Sequence, residues 1–390
     1  MPLLLPRVLS LAVIGAILIW SLWLSQDAAG RTLSFSLLAG AAFGIVLQRG
    51  RFCFLCNLRD FVERREASGL IAILVALGAG VILYQSVFGA WVPVPQADRL
   101  PPGAHIGPVG WVLALAATAF GVGMALSGSC LSAHLYRLGE GAFGSLAALL
   151  GSAVGFLLGF LSWNRLYTVT VYNDRPLWLP SIFGHAGATG LALVVISLLA
   201  WLVLRKAKST GAASATAPAF EQMFIRRWPP VVTGLVVAVI GAVSYLRVAP
   251  LGVTAELGSL TRTAGLAAGL VPETLVGLET VRGCISALKT SVLSANGVFV
   301  IGLVSASFAA ALAGGQFKPS WPDPRGLCAR FAGGVLMGWG AMTGLGCTVG
   351  VLLSGIQAGA LSGWLFLAFM LPAAVVTLRA IDRFERAFRA

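Results

Sequence analysis

Six cysteines are the residues of this 390-residue chain best suited to chemistry: Cys53, Cys56, Cys130, Cys284, Cys328 and Cys347. Two of them close matching glycine-rich runs. Gly121-x-Gly123 leads through Gly128 to Cys130, and Gly338-x-Gly340 leads through Gly346 to Cys347, each cysteine seven residues after the second glycine. Glycine lets the backbone leave helical geometry and lets chains approach closely. Tight turns of this kind expose N–H groups, which are natural anion sites. A thiol beside them is soft, polarizable and a weak donor. The combination suits a small sulfur-containing anion better than a strongly hydrated oxyanion. A looser pairing sets Arg51-x-Cys53 beside Arg282-x-Cys284, with a basic residue after each, Arg59 and Lys289. Arg49, Arg51 and Arg282 at segment ends would attract an anion over long range. The plainer role for them is topology and contact with lipid headgroups.

Other chemistries fit less well. Buried cysteine is most often a small hydrophobe, and that reading suits Cys328, which lies in a charged stretch. Cys53-Phe54-Leu55-Cys56 has the spacing of a redox dithiol, which makes a membrane thiol-disulfide oxidoreductase the alternative function. No thioredoxin-like context surrounds it. Cys130 and His134 are four apart, but the only other histidines are His105 and His185, so no tetrahedral metal set is legible. Neither a phosphate-binding loop nor a Ser/His/Asp signature is present, and no cofactor is called for. Glu273 and Glu279 lie near an apolar segment and could carry a proton or mark an interface.

The elements that must hold these thiols are apolar. Hydrophobic residues make up 58% of the chain and charged residues 11%, with a mean hydropathy of +0.89. Soluble domains are about one quarter charged, so lipid must cover much of this surface. Uncharged runs such as 8–26, 69–97, 228–246 and 290–317 approach or exceed the roughly 20 residues a membrane helix needs. Apolar segments fall near 8–26, 32–48, 69–92, 106–128, 141–163, 185–204, 229–247, 263–281, 296–314, 331–350 and 360–378. The fold expected is all-α and polytopic, with about 9–11 apolar segments. The first segment follows Arg7, exceeds a signal-peptide core in length and reads as a retained helix.

The net charge is +13. Without a soluble basic domain this points to lipid and topology rather than nucleic acid. Three basic segments, 49–66, 205–230 and the tail from Arg379 to Arg389, belong in the cytoplasm by the positive-inside rule. Eleven full crossings would separate the linker from the tail. Short re-entrant helices remove the conflict, and the glycine around the cysteines favours them. The chain divides into a membrane half 1–204 with an extra N-terminal helix at 8–26, a basic cytoplasmic linker 205–230, and a second half 231–390 with a short basic tail. The matched motifs make the halves structurally related, the arrangement with which many transporters build a site at a repeat interface.

Arg51-Phe52-Cys53, Gly128-Ser129-Cys130-Leu131 and Gly344-Leu345-Gly346-Cys347, with the duplicated arrangement, resemble the YeeE/YedE family of bacterial inner-membrane sulfur transporters over roughly residues 32–378. The resemblance implies a multi-pass inner-membrane permease, not an enzyme, that takes up thiosulfate or a related small sulfur-containing anion. It implies an hourglass-shaped helical body with short re-entrant helices. Cys53, Cys130 and Cys347 would be the relay thiols, and a TusA-like sulfur carrier the cytoplasmic partner. Cys284, Gly128, Gly346, Arg51 and Arg282 complete the candidate substrate-binding and translocation residues. Cys284 and Cys56 depart from the three-cysteine pattern of that family.

Overall fold

The computed structural model describes residues 4–208, 226–284, 286–291 and 293–389. Fourteen helices are used below to place the site. They are α1 (Leu4–Leu24), α2 (Gly30–Gly50), α3 (Phe54–Arg64), α4 (Ser68–Trp91), α5 (Trp111–Ser127), α6 (Leu131–Gly139) and α7 (Gly144–Leu166), then α8 (Pro180–Lys206), α9 (Pro230–Arg247), α10 (Val253–Ala267), α11 (Ala295–Ala313), α12 (Pro324–Thr343), α13 (Thr348–Gln357, π-helical in its first part) and α14 (Leu361–Arg389). Among the described residues, nine helical stretches are long and apolar enough to cross a membrane, and the bent pair α12–α13 makes a tenth. At 1.5 Å per residue the 24 residues of α4 span about 36 Å, more than the hydrocarbon layer needs. The chain is a multi-pass, all-α membrane protein.

Contacts between helix ends sort them onto two faces. One face holds the end of α2, where the Trp228 N–H donates to the Arg49 carbonyl, and the end of α8, where Lys208 N–H donates to the Arg65 carbonyl. Arg227 pairs with Glu66 there. This basic face is cytoplasmic by the positive-inside rule. The opposite face gathers the ends of α4, α7 and α9 and the starts of α5, α8 and α14. Val109 N–H donates to Arg175 O and Leu361 N–H to Leu177 O, and the Tyr245 hydroxyl donates to Pro102 O. The helix α14 starts on this outer face and runs beside α5, Phe366 packing on Phe120, so its basic end returns to the cytoplasmic face. Ten crossings therefore put both ends of the chain on one side. Of the linker, only 205–208 and 226–230 lie within the described residues, and residues 209–225 lie outside them.

Four helices are too short to cross alone. The short α3 and α6 continue the spans of α2 and α5 to the cytoplasmic face, α13 continues that of α12 to the outer face, and α10 lies on the outer side. The chain bends 46° between α12 and α13 and reaches the outer face by Gly359, whose carbonyl accepts from Leu179 N–H. The expected segment at 263–281 is replaced by the end of α10 and an irregular stretch. Gly269 and Gly277 take positive φ there, and the stretch is held against the outer end of α7 by the Trp163 indole N–H on Val276 O. The stretch is largely exposed at the outer face, with Val271, Leu275 and Leu278 turned into the core.

The element order α2 to α7 recurs as α9 to α14 with every direction reversed. Each set has a crossing helix, a short helix, a crossing helix, a crossing helix, a short helix and a crossing helix. Small residues let the sets pack closely. A Cβ on Gly340 would lie 2.6 Å from the Ala116 carbonyl oxygen of α5, and one on Gly123 would lie 2.5 Å from that of Gly333 on α12.

Candidate functional site

Five of the six cysteines fall into two groups at the inner ends of the four short helices. The sequence folds this way because each glycine-rich break ends a crossing helix and frees the next few N–H groups. Gly128 stops α5 in the left-handed region at φ 83°, and Cys130 then takes the N-cap position of α6. Arg51 does the same for α2 at φ 48°, and Cys53 caps α3. Leu345 and Gly346 end α12 at φ 58° and 148°, and Cys347 caps α13. Cys53, Cys130 and Cys347 are all fully buried in one core.

The cytoplasmic group is Cys53, Cys56 and Cys130. The Cys56 thiol donates to the Cys53 sulfur at 2.8 Å, and the Cys56 N–H donates to the same atom at 3.3 Å. Cys130 faces the Cys53 thiol and the N–H groups of Ala133 and Phe54, with the Ser132 hydroxyl 3.3 Å from its sulfur. Cys56 also lies 3.8 Å from the Ser129 hydroxyl, and opens on a cavity of about 450 Å³ lined by Arg51, Arg137, Glu140, Tyr136 and Arg227, among others. Burial lifts the Glu140 carboxyl above the usual range, while the Gln48 amide and the guanidinium groups of Arg137, Arg51 and Arg49 pull it back.

The outer group is Cys284 and Cys347. Cys347 takes the N-cap position of α13, beside the first-turn N–H groups of Val349 and Gly350 but without a cap hydrogen bond from them. The N–H of Ala255, in the first turn of α10, reaches the Cys284 sulfur. The Cys284 N–H donates to Leu345 O at 2.8 Å, tying the irregular stretch to the α12–α13 break. Each of the four short helices thus aims its positive N-terminal end at a cysteine sulfur, two from each face. Above this group a cavity of about 20 Å³, lined by His105, Asp174, Arg282, Gly283, Thr343 and Ser362 among others, has room for about one water.

The eight residues singled out from sequence divide between these two groups, Arg51, Cys53, Gly128 and Cys130 on the cytoplasmic side and Arg282, Cys284, Gly346 and Cys347 on the outer side. Gly128 and Gly346 shape the breaks, Arg51 lines the cytoplasmic cavity and Arg282 the outer one, its guanidinium donating to Pro101 O at 2.7 Å. The matched motifs are not equivalent in one respect. Cys53 precedes its short helix, whereas Cys284 follows α10 and folds back onto it. Cys328 is exposed, and His134 is held by Ser145 at 3.2 Å. Sequence reading missed Arg137, which sits seven residues after Cys130 on the same helix face. It also missed His105, the Thr254 hydroxyl, which faces the Cys284 and Cys347 sulfurs, and the buried Thr348 hydroxyl, which has no hydrogen-bond partner among the described residues.

Comparison with known proteins fits this arrangement. Residues 49–376 match the family described as Sulphur transport. The chain is 28% identical to the thiosulfate transporter TsuA of Escherichia coli (strain K12), over 86% of this chain and 90% of that protein. It is also 28% identical to the thiosulfate transporter TsuA of Spirochaeta thermophila, over 86% of this chain and 94% of the relative. The probable transporter YedE of E. coli matches more narrowly, at 26% over 44% of this chain and 40% of its own length.

Proposed function

Since the chain belongs to the Sulphur transport family, we propose that it imports thiosulfate or a closely related sulfur-containing anion, passing it between the outer and cytoplasmic cysteine groups. The observation that carries this reading is the placement of Cys347 and Cys284 from one face, and Cys130 and Cys53 from the other, at the N-termini of short helices. Helix N-termini offset the negative charge of the anion. Thiols donate weakly, so the anion is held loosely enough to move on. Conduction requires that balance of entry and release.

In this reading Arg282 gathers the anion at the outer mouth, Cys284 and Cys347 receive it, and Cys130 and Cys53 accept it next. Arg51 and Arg137 draw it into the cytoplasmic cavity, where a TusA-like carrier would collect it. Gly128 and Gly346 hold the breaks open. The two units of the site are a half at 1–204 and a half at 231–390, joined by the basic linker and surrounded by lipid. The small outer cavity must widen for the anion to enter, so the path opens alternately.

Thiosulfate-dependent growth of a bacterial strain without its own sulfate and thiosulfate uptake tests this. Wild-type protein should restore growth, and Cys347→Ala, at equal membrane abundance, should not. Growth with neither protein would defeat the thiosulfate reading, and growth with both would defeat the thiol path.

A further inference from the structure

His105 lies outside every motif read from the sequence, yet it touches both outer elements of the path. It is buried, with Nδ1 3.0 Å from the Gly350 carbonyl and Nε2 3.9 Å from the Cys284 sulfur. A carbonyl oxygen only accepts, so Nδ1 carries a proton. In the neutral ring Nε2 then has only a lone pair. Of the pair only Cys284 can then donate, and a thiol hydrogen directed at that lone pair is turned away from an arriving anion.

We propose that His105 is the positioning residue that takes up a proton when the anion reaches the outer mouth, and so converts Cys284 into a donor to that anion. The inference rests on the uptake reading above and names how entry is coupled. With Nε2 protonated, the ring donates to a Cys284 lone pair, and the thiol hydrogen is free to turn to the anion. The added positive charge stands beside it. The proton comes from the outer solution and stops at Nε2, and no bond to sulfur forms. Anion and proton thus enter the mouth together.

The surroundings agree with a ring that is neutral while the mouth is empty. Burial pushes the His105 imidazole below its ordinary value, with the Gly350 carbonyl opposing. The titratable and charged groups around it are Cys284 and Arg282 from the stretch after α10, Cys347 at the start of α13 and Asp174 from the turn after α7. Arg282 and Asp174 share its cavity. Glu256 on α10 is engaged by Lys289 and by Ser294. Asp174 is itself raised by burial, so it needs its own control.

The test is uptake of radiolabelled thiosulfate into proteoliposomes as the external pH falls from about 8 to about 5.5, the range in which histidine titrates. Wild-type uptake should rise several-fold as the pH falls. His105→Asn leaves an amide to donate to Gly350 O but no proton acceptor, and its profile should be flat. Asp174→Asn should keep the rise, and Cys284→Ala should lose it. A flat wild-type profile, which needs no variant to fold, or a rise retained in His105→Asn overturns the inference while leaving the transport reading intact. Wild-type protein that imports no thiosulfate at any pH overturns both.

Discussion

The Cys284 sulfur occupies the space a side chain on Gly252 would need. A Cβ built on Gly252 would come within 2.8 Å of it. Gly252 is the residue before α10, the place that Cys53, Cys130 and Cys347 hold before the other three short helices. The fourth helix has no cysteine of its own there, and one from 32 positions later fills the gap.

Gly252→Ala should therefore act like a loss of Cys284. The methyl group would push the sulfur off the N-terminus of α10, a repacking cost of about 1–3 kcal/mol. Thiosulfate uptake should fall by an order of magnitude or more, to the level of Cys284→Ala, while insertion into the membrane persists. Uptake and membrane abundance measured side by side check this. An unaffected variant would mean that Cys284 need not sit at the helix end.

Cys130→Ala and Cys347→Ala should each abolish uptake without unfolding the protein. Each removes one small buried group from a well-packed core, a loss of roughly 1–3 kcal/mol by comparison with other core truncations. Cys328, exposed near the start of α12, should react with a maleimide in intact protein, and Cys328→Ala should transport normally. Transport by either core variant at the wild-type rate would remove the thiols from the mechanism.

The 2.8 Å separation of Cys53 and Cys56 makes them ready to oxidise together. A small disulfide in excess would form a mixed disulfide with Cys56, which faces the cavity, and Cys53 would displace the second thiol to leave Cys53–Cys56 bonded. That bond removes a donor from the path, so uptake should stop and return on reduction. Cys56→Ala should transport and resist the oxidant. Alkylation followed by mass spectrometry reads the pair, and a block that persists in Cys56→Ala would place the sensitive thiol elsewhere.

Much of this was legible in the sequence. Hydropathy gave the crossing helices, because a lipid-facing helix must be apolar along its whole length. The glycine-cysteine spacing gave two of the four breaks, because glycine takes positive φ most readily, whereas Arg51 takes it at the end of α2 without that signal. The short α10 was hidden, since its buried face carries Thr254, Glu256 and Ser259 rather than an apolar stripe and its sequence continues into an irregular stretch. His105 was hidden for another reason. It sits in a proline-rich connection, 179 positions from the cysteine it touches, and no local periodicity points to a partner that far away. Arg137 was within reach, since helical spacing puts it on the Cys130 side of α6.

The two break glycines should respond differently to the same substitution. Gly128 holds φ 83°, and a Cβ there would meet nothing within 4 Å. Gly128→Ala therefore costs only the strain of a left-handed alanine, roughly 1–2 kcal/mol, with no clash. Gly346 holds φ 148°, and its Cβ would lie 2.9 Å from a Val351 methyl and 3.3 Å from the Cys284 sulfur. Gly346→Ala adds crowding of about 1–3 kcal/mol to the strain, and the atoms it displaces belong to the outer thiol group. Thermal unfolding of purified protein should show Gly128→Ala slightly destabilised and Gly346→Ala clearly so. Uptake should separate them further, with Gly128→Ala retaining most of its rate and Gly346→Ala nearly inactive. Equal losses in both would show that strain at the breaks governs transport, whereas the crowded geometry at Gly346 requires that displacement of Cys284 dominate.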